Sequence, residues 1–565
     1  MTIEIAKGVP KGFVGKSVRF LVSLLLVAGV APVVTPITAM AEGRMSEAAA
    51  VGPEIVFRIV RYEVQDNTRL DNGQVERLLA PYLGEERTAA DIKAASQALE
   101  EAYHKAGYHS VQVRVPPQEI TSGTVVLAVN EVKLGQITVS GNRYHDEENI
   151  RQALPALVSG LPPSATTLAE NLRLANENPS RRLDVVLAQA STPGAVDAAV
   201  KVEDQPVQKV AVSLDNTGNA STGHYRTGVS YQNHNLFNRD HSATLSYTTS
   251  PDHLDEVTQL SASYRLPLYS LGDSLDFIAA YSDVNAGSTE TVAGPMSFSG
   301  KGHTYSARYN HYFPLAGEYT SRLTTALDYR SSTNDCSVGS FGSAGCGSAG
   351  ADTTVHPVGL TYSGAWNKPS LVADFSITAA HNISGGSHGS DADFEASRPS
   401  PTGQGGASAD YSVYQLSGSI LTILPQDWRF RVAARGQYSP DALLASEQFG
   451  LAGANAVRGF TEREAARDKG YFTNIEIYTP NLVSALGVAA GSLRLLAFVD
   501  HAQGRNEELA GESASPISLG SVGAGLRYDF SNMVTARFDL ARVIDGTDTT
   551  NAGSSRGHLS VIVTF

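Results

Sequence analysis

Residues 493–500 read Leu-Arg-Leu-Leu-Ala-Phe-Val-Asp, and their side chains alternate between an apolar set and a more polar one. The apolar set is Leu493, Leu495, Ala497 and Val499, and the other set is Arg494, Leu496, Phe498 and Asp500. A period of two is that of a β-strand, and an apolar face opposite a charged one indicates a strand between lipid and a wet lumen. A strand of a soluble β-sandwich also alternates, but its polar face meets solvent and it is usually shorter.

The same alternation recurs through residues 207–565 in segments of about ten residues, separated by polar, Gly-rich stretches. Residues 257–266, 305–310 and 534–541 are further examples. Residues 207–565 comprise 359 positions, which supply about 16 strands at roughly 22 residues for each strand and turn. The sequence therefore predicts a mostly β protein with a transmembrane antiparallel barrel of about 16 strands, wide enough for an aqueous channel unless something fills it.

The final segment of the chain fits this barrel. Its alternating apolar residues are Leu559, Val561, Val563 and Phe565. A terminal aromatic residue on a lipid-facing strand resembles the signal that outer-membrane proteins present to the barrel-assembly machinery. We therefore expect that machinery and outer-membrane lipid as partners, with Phe565 as the assembly signal.

The first 41 residues have the features of a secretory signal peptide. Basic residues up to Arg19 precede an apolar run over residues 20–34, and Ala39-Met40-Ala41 fits the small-x-small cleavage rule. A membrane anchor is the alternative, although the run is shorter than the roughly 20 residues that a spanning helix needs. We expect cleavage before Glu42, which leaves residues 42–54 as a short linker.

Composition and motifs exclude several classes of function. The net charge of −14 argues against a nucleic-acid binder, which needs basic surface to neutralise phosphates. No apolar segment of about 18 residues follows Ala41, so no transmembrane helix is expected in the exported chain. Nucleotide-binding loops, metal-ligand spacings and nucleophile elbows are not found in the sequence. We expect no enzyme activity, no cofactor, no metal site and no nucleic-acid partner.

Residues 55–206 differ from the rest because strand and helix patterns alternate there. Residues 57–64 read as one strand, Thr88 and Asp91 form a helix-capping pattern, and strand patterns follow that helix. The order β-α-α-β-β then repeats with little sequence identity. The sequence predicts two small α+β domains, over residues 55–133 and 134–206.

Long Gly- and Ser-rich stretches predict exposed loops at residues 286–302, 331–354 and 384–410. Cys336 and Cys346 lie ten residues apart in the second stretch. In an exported loop such a spacing favours a disulfide bond. A metal-binding pair is the alternative, which the absence of a nearby His disfavours.

Four short motifs carry a resemblance to a known family. They are Pro116, Pro117, Gln118 and Gly123; Asn178, Pro179 and Arg181; Val457, Arg458, Gly459 and Phe460; and Phe498 and Asp500. In this order they resemble the two-partner secretion transporters, which export haemolysins and filamentous haemagglutinin and carry periplasmic POTRA domains. The resemblance assigns the first two motifs to two POTRA domains. It places the third on a loop around residues 450–470 that enters the barrel lumen, and the fourth on a strand that the loop tip meets.

The resemblance also implies a location and a function. The barrel would lie in the outer membrane of a Gram-negative cell, with its POTRA domains in the periplasm. These domains would capture a large unfolded exoprotein, haemolysin- or adhesin-like, that the barrel then secretes by the two-partner, type V route. An assembly factor for other barrels is the alternative, although its relatives usually carry more POTRA domains. A passive porin would need none.

Some family members thread an N-terminal helix through the pore as a plug. As a helix, residues 42–54 would reach about 20 Å, less than the roughly 30 Å of the hydrocarbon core. We therefore expect a reduced plug or none.

The residue chemistry independently connects Arg458 with Asp500. Small residues precede Arg458, so a narrow loop could enter a lumen, where the guanidinium would need a carboxylate or carbonyl partner. Asp500 lies on the polar face of its strand and could supply that carboxylate. A solvated surface loop for Arg458 and a strand-end position for Asp500 are the alternatives.

Overall fold

The computed structural model describes residues 55–120, 122–192, 194–291, 294–338, 343–483, 491–512, 516–531 and 533–565. The signal peptide and the linker that the sequence predicts lie outside these residues. Within the described ranges, no helix has the length and apolar character needed to cross a membrane.

The first α+β domain has two small sheets. Its elements are β1 (Phe57–Ile59), β2 (Arg61–Gln65), α1 (Asn72–Leu79), β3 (Gly84–Arg87), α2 (Ala89–Lys105), β4 (Gln112–Arg114) and β5 (Thr124–Asn130). One sheet has the order β2-β5-β4 with β2 parallel to β5, and the other pairs β1 with β3. Helix α2 begins with a capping box between Thr88 and Asp91, and its buried Leu99 and Tyr103 join the core.

The prediction of one strand over residues 57–64 was wrong. The strand divides at Val60, whose N–H donates to the Gly123 carbonyl oxygen at 2.7 Å, so β1 and β2 pair with different sheets. Gly123 has a φ of 72°, and a Cβ there would lie 2.8 Å from Val60 Cγ2. This close backbone approach explains why a glycine occupies the position.

The second α+β domain has one sheet covered by two helices. Its elements are β6 (Lys133–Ser140), α3 (Glu147–Gln152), α4 (Ala165–Ala175), β7 (Arg181–Gln189) and β8 (Ala195–Asp204). The sheet order is β6-β8-β7, with β6 parallel to β8. Ile150, Leu168, Leu183 and Val200 are buried in its core. Its β-α-α-β-β order matches the repeat that the sequence predicts.

Sixteen antiparallel strands close into a barrel in the part of the chain that the structure describes. They are β9 (Gln208–Asp215), β10 (Arg226–Leu236), β11 (His241–Thr249), β12 (Val257–Leu268), β13 (Asp273–Thr291), β14 (Gly294–Tyr312), β15 (Tyr319–Val338), β16 with β17 (Thr353–Val355 and Pro357–Lys368), β18 (Leu371–Asn382), β19 (Ser412–Ile423), β20 (Arg429–Tyr438), β23 (Lys469–Tyr478), β24 (Ser492–Arg505), β25 (Ile517–Phe530), β26 (Val534–Asp545) and β27 (Ser555–Thr564). We count β16 and β17 as one strand because they are consecutive and both pair with β15. The remaining elements are α5 (Asp391–Ser397), β21 (Phe449–Gly450) and β22 (Ala466–Arg467).

The last strand closes the barrel against the first. Strand β27 pairs with β9 from Ser560 opposite Asp215 to Thr564 opposite Ala211. Phe565 extends this seam, because its N–H donates to the Val210 carbonyl oxygen at 2.8 Å. The side chain of Phe565 remains exposed.

Burial along the strands follows the period of two that the sequence predicts. In β24, Phe498 and Asp500 are buried toward the lumen, whereas Leu495 and Val499 are exposed on the opposite face. The fold class, a barrel of about sixteen strands after two small α+β domains, is therefore confirmed.

Two of the predicted loops are partly strand. Strands β13, β14 and β15 have 19, 19 and 20 residues, twice the roughly ten that a membrane crossing needs. They therefore extend through much of residues 286–302 and 331–338, because Ser, Thr and Gly residues can pair as well as apolar ones when backbone groups carry the ladder. The stretch 384–410 does connect two strands, and it contains α5.

Candidate functional site

Residues 439–468, which connect β20 to β23, fold back into the barrel, and we call them the lumen loop. Strands β21 and β22 pair with each other within the loop, and we call the residues between these two strands the loop tip. Leu451, Val457 and Phe460 of the tip are fully buried. They form an apolar cluster with residues on the inner faces of four strands: Phe472, Ala502, Leu519 and Val543.

Arg458 is the charged centre of the tip. Its backbone N–H and Nε donate to Asp500 Oδ2 at 3.1 and 2.7 Å, and its Nη2 donates to Asp500 Oδ1 at 2.7 Å. Its Nη1 donates to Glu476 Oε1 at 2.8 Å. The guanidinium lies 3.5 Å from the centre of the Phe498 ring, a cation–π distance. The side chains of Arg458 and Asp500 are 4% and 0% exposed, so the contact is shielded from water.

Two further arginines balance the charges around Arg458. Arg431 donates to Glu476 at 3.0 Å. Arg527 makes two hydrogen bonds to Asp539, at 2.8 and 2.9 Å, and Asp539 lies 3.5 Å from Arg458 Nη1. Together with Asp500, the cluster holds three cations and three carboxylates. Such pairing is what buried ions require, because an unpartnered buried charge is costly.

Glycines make room for the tip. Gly459 has a φ of 103° and donates its N–H to His558 Nε2 at 2.9 Å, and a Cβ there would lie 3.0 Å from Val543 Cγ2. On β25, a Cβ on Gly523 would lie 2.4 Å from the Phe498 ring, and one on Gly525 would lie 1.9 Å from Asp539. These positions require glycine if the ring and the carboxylate are to reach the tip.

Sequence reasoning identified Val457, Arg458, Gly459, Phe460, Phe498 and Asp500, which the structure brings together. It missed Glu476, Asp539, Gly523, Gly525 and His558. Glu476 and Asp539 both lie on the polar face of strands with alternating side chains, and this pattern could have indicated that they face the lumen. The glycines of β25 could not be interpreted because their neighbours lie on other strands.

The root of the lumen loop is fixed at the end of the barrel farther from the α+β domains. Asp468 is fully buried and accepts hydrogen bonds from Arg398 Nη1 at 2.7 Å and from the Leu443 N–H at 3.1 Å. It also accepts one from the Glu507 N–H at 2.8 Å. Arg398 directly follows α5, in the segment between β18 and β19, and Glu507 lies between β24 and β25. The Asp468 carboxylate therefore joins the lumen loop to two other interstrand segments at this end.

The first α+β domain uses its Pro-Pro-Gln motif to complete a sheet. The Gln118 side chain donates to the Val126 carbonyl oxygen at 2.8 Å and accepts from the Val126 N–H at 2.7 Å. It thereby provides hydrogen-bond partners for the β5 backbone at Val126, which lies beyond the end of the pairing with β4. Pro116 accepts a hydrogen bond from Gln118 through its carbonyl oxygen, and Pro117 is exposed.

Arg181 attaches the second α+β domain to the barrel. Its guanidinium donates to Asp240, in the turn between β10 and β11, and to Asn149 Oδ1 at 2.8 Å. Tyr269, in the turn after β12, donates its hydroxyl to Asp240 at 2.6 Å. The side chains of Arg181 and Asp240 are 0% and 1% exposed. The sequence singled out Arg181 but gave no sign of Asp240 as its partner.

Asn178 reinforces the same junction. Its side chain donates to the His234 carbonyl oxygen at 2.8 Å and accepts from Ser180 Oγ at 2.7 Å. Pro179 between them is exposed.

Cys336 and Cys346 form a disulfide with Cα atoms 6.1 Å apart, at the outer end of β15.

The geometry defines a class of protein. A closed barrel with an apolar outer face, a loop held inside its lumen and small α+β domains at one mouth are the parts of an outer-membrane transporter. The chain belongs to the haemolysin secretion/activation protein ShlB/FhaC/HecB family, whose model matches residues 194–528. A model for the ShlB-type POTRA domain matches residues 57–131.

Individual relatives agree with the family. The chain is 23% identical over 532 residues to the heme/hemopexin transporter protein HuxB of Haemophilus influenzae, covering 91% of this chain and 88% of that protein. It is 23% identical over 486 residues to the outer membrane transporter CdiB of Dickeya dadantii, covering 84% and 81% of the two chains. Among solved structures, CdiB from Escherichia coli superimposes with a TM-score of 0.69 at 18% identity, covering 93% of each chain.

These findings confirm the predicted family and function. The chain is an outer-membrane transporter of two-partner secretion that acts with a large secreted partner protein, and its POTRA domains lie in the periplasm. Members of the family are transporters, not enzymes. The α+β domains therefore mark the periplasmic end of the barrel, and the root of the lumen loop lies at the extracellular end.

Proposed function

We propose that the lumen loop closes the export channel at rest and that Arg458 holds it in place. The single observation that carries this proposal is the burial of the Arg458 guanidinium against Asp500 and Glu476. If the tip withdraws, Arg431 and Arg527 still neutralise Glu476 and Asp539. Asp500 would keep only its hydrogen bond from Asn474 at 2.8 Å. Withdrawal therefore needs water or a passing polypeptide at Asp500, which ties opening to export.

The POTRA domains, in this proposal, capture the unfolded partner. Strand β7 lies at the edge of its sheet, and Val186 and Leu187 on its outer half are 50% and 40% exposed. An edge of this kind offers backbone hydrogen-bonding groups and apolar contacts to an extended chain. The partner would then thread the lumen and fold outside the cell, which would make export directional.

The remaining assignments complete the proposal. The signal peptide would be residues 1–41 and the linker residues 42–54. The two POTRA domains would be residues 55–133 and 134–206, and the barrel residues 207–565. Outward-facing apolar side chains would contact membrane lipid. Phe565 would be the signal to the barrel-assembly machinery, which suits its exposed ring on the closing strand.

A secretion assay on loop variants tests the role of Arg458. We expect Arg458→Ala to give a heat-modifiable barrel at normal levels that secretes its partner poorly. The reason is that Asp500 is left buried and unpaired, at a cost of roughly 3–5 kcal/mol. Arg458→Lys should be intermediate, since an ammonium group cannot bridge Asp500 and Glu476 as a planar guanidinium does.

The controls separate position from charge. Arg505→Ala, at the far end of the strand that carries Asp500, removes an exposed arginine that does not contact the tip and should secrete normally. The Arg458→Asp, Asp500→Arg swap should not restore secretion, because the new carboxylate would face Glu476 and Asp539. Normal secretion by Arg458→Ala at unchanged barrel levels would refute the proposal.

A further inference from the structure

Arginines line one wall of the lumen beside and below the loop tip. Arg494 lies directly opposite Arg527, and Arg527 directly opposite Arg537, on the adjacent strands β24, β25 and β26. All three face a cavity of about 910 Å³, and Arg435 on β20 faces the same cavity. Like charges directly opposite one another destabilise a sheet. This row of arginines therefore works against barrel stability, which suggests a role beyond folding.

Two members of the row already have acidic partners. Arg527 is bound to Asp539, and Arg494 donates to Asp427 at 2.6 Å. Arg435 and Arg537 are exposed to the cavity, and neither forms an ion pair with any residue that the structure describes. Acidic side chains at the cavity margin are bonded to hydroxyls instead, Asp374 to Ser419 at 2.5 Å and Asp215 to Thr217 at 2.5 Å. Two guanidinium groups are thus left to bind an incoming anion.

The position of the second POTRA domain leaves this wall accessible. Its side-chain hydrogen bonds to the described barrel residues involve strands β10, β12 and β14 and the turns that follow them, for example Arg181 to Asp240, Asn171 to Tyr269 and Arg173 to Phe313. The arginine row lies on strands β20 to β26, outside that group. A polypeptide that enters the periplasmic mouth beside the domain therefore passes Arg537, which is nearer the periplasmic end of β26 than Asp539, on its way to the loop tip. It reaches Arg435 beside the tip, because Arg435 lies directly opposite Phe472 of the tip cluster.

We propose that Arg435 and Arg537 form a binding site for side-chain carboxylates of the partner polypeptide as it enters the lumen. A guanidinium pairs with a carboxylate through two parallel hydrogen bonds, so an acidic segment would be held along this wall of the lumen, next to the lumen loop. The proposal rests on the proposed export function and adds the chemistry of a segment that the channel accepts.

Peptide binding to the full-length protein tests the site. The protein would be placed in nanodiscs of phosphatidylcholine, which has no net charge. The probes are two unstructured Gly/Ser-rich peptides that are identical except that one carries four Asp residues and the other four Asn residues. Fluorescence anisotropy would measure their affinities at about 0.05 M and about 0.5 M salt, because screening weakens charge pairing.

We expect the wild-type protein to bind the Asp peptide at least about tenfold more tightly than the Asn peptide at low salt. The Arg435→Gln, Arg537→Gln double variant should lose this preference. Arg542→Gln is the matched control, because Arg542 lies on the same strand as Arg537 but between the inward-facing Ala541 and Val543, and it should keep the preference. Arg435→Lys, Arg537→Lys keeps the charge and should retain part of it.

Equal affinity of the wild-type protein for both peptides would overturn the proposal, as would a preference that survives in the double Gln variant. Heat-modifiability of each variant shows whether its barrel has folded, and the Lys pair provides a second comparison if the Gln pair does not fold. If the wild-type protein secretes its partner but shows no preference, the site is wrong and the export function stands. If it secretes no partner, the proposed function fails independently of peptide binding.

Discussion

Arg181 of the second POTRA domain and Asp240 of the first periplasmic turn form an ion pair whose side chains are 0% and 1% exposed. A buried pair of this kind does not tolerate the loss of one member, because the remaining charge has no water to solvate it. Tyr269 and Asn149 complete its hydrogen bonding. The domain next to the barrel is therefore held in a defined position at the periplasmic mouth.

Removing Arg181 should loosen this junction. We expect Arg181→Ala to destabilise the interface by roughly 3–5 kcal/mol. The segment between β8 and β9 should then be cleaved by protease added to isolated outer membranes whose periplasmic face is accessible. Arg182→Ala is the matched control, since Arg182 is adjacent but 69% exposed and lies 4.0 Å from Asp184. Equal protease resistance of the two variants would argue against a fixed junction.

A methyl group at Gly459 should displace the loop tip. Gly459→Ala combines a φ of 103° with a Cβ only 3.0 Å from Val543, so we expect a cost of about 1–3 kcal/mol and reduced secretion. Gly450→Ala on the same loop is the control, because its Cβ would meet only Arg463, at 3.5 Å. The measurement is secretion at matched barrel levels, and a defect shared by both variants would show that the tip geometry is not the cause.

The disulfide should be nearly dispensable for export. In the chain-entropy model, a disulfide that closes a loop as short as residues 336–346 stabilises the fold by only about 2–3 kcal/mol. We expect the Cys336→Ser, Cys346→Ser variant to secrete normally. In intact cells the wild-type protein should react with an impermeant thiol reagent only after reduction. Labelling without reduction would contradict the bond.

Asp204 should make the second POTRA domain sensitive to acid. Burial opposes ionisation of its carboxyl, but backbone N–H groups of Arg143, His145 and Tyr144 donate to it, and the net effect is a pKa below the usual value. A lowered folded-state pKa gives stability that is complete above the unfolded pKa of about 3.9 and is lost as the pH falls through the folded value.

Hydrogen exchange of the full-length protein would detect this loss. Protection of residues 143–145, corrected for the intrinsic exchange rate, should be constant from about pH 8 to pH 5 and fall below about pH 4. Asp204→Asn should lower protection at neutral pH and flatten the pH profile. Unchanged protection in the wild type down to pH 3 would count against the assigned role.

The sequence predicted the barrel well because its signal is periodic. In β24 each side chain belongs to the lumen or to the lipid, so alternation alone places Asp500 inside the barrel. The same reasoning failed at residues 286–302, since Ser, Thr and Gly give no apolar face although their backbones still pair. It also failed at Val60, where the Gly123 carbonyl divides one strand pattern between two sheets.

The candidate site was predictable only in part. Motif resemblance led to Arg458 and Asp500, and strand period gave the face of Asp500. The partners Glu476 and Asp539 come from two further strands, and which strands meet the tip depends on barrel closure. The junction between Arg181 and Asp240 lies beyond any local pattern, because 59 residues separate the two side chains.

The seam between β9 and β27 is extended by a hydrogen bond from Leu559 to Asn216, which lie 343 positions apart in the chain. Loop-closure entropy grows only slowly with length, so this separation adds little to the free energy of folding. It does set an order of events, because the first strand keeps an open edge until the last has been delivered. Open edges recruit neighbouring chains. Connectivity alone therefore leaves the chain open to aggregation until the seam closes. A chaperone that protects the open edge in the periplasm becomes a requirement of the topology, whatever cargo the finished pore exports.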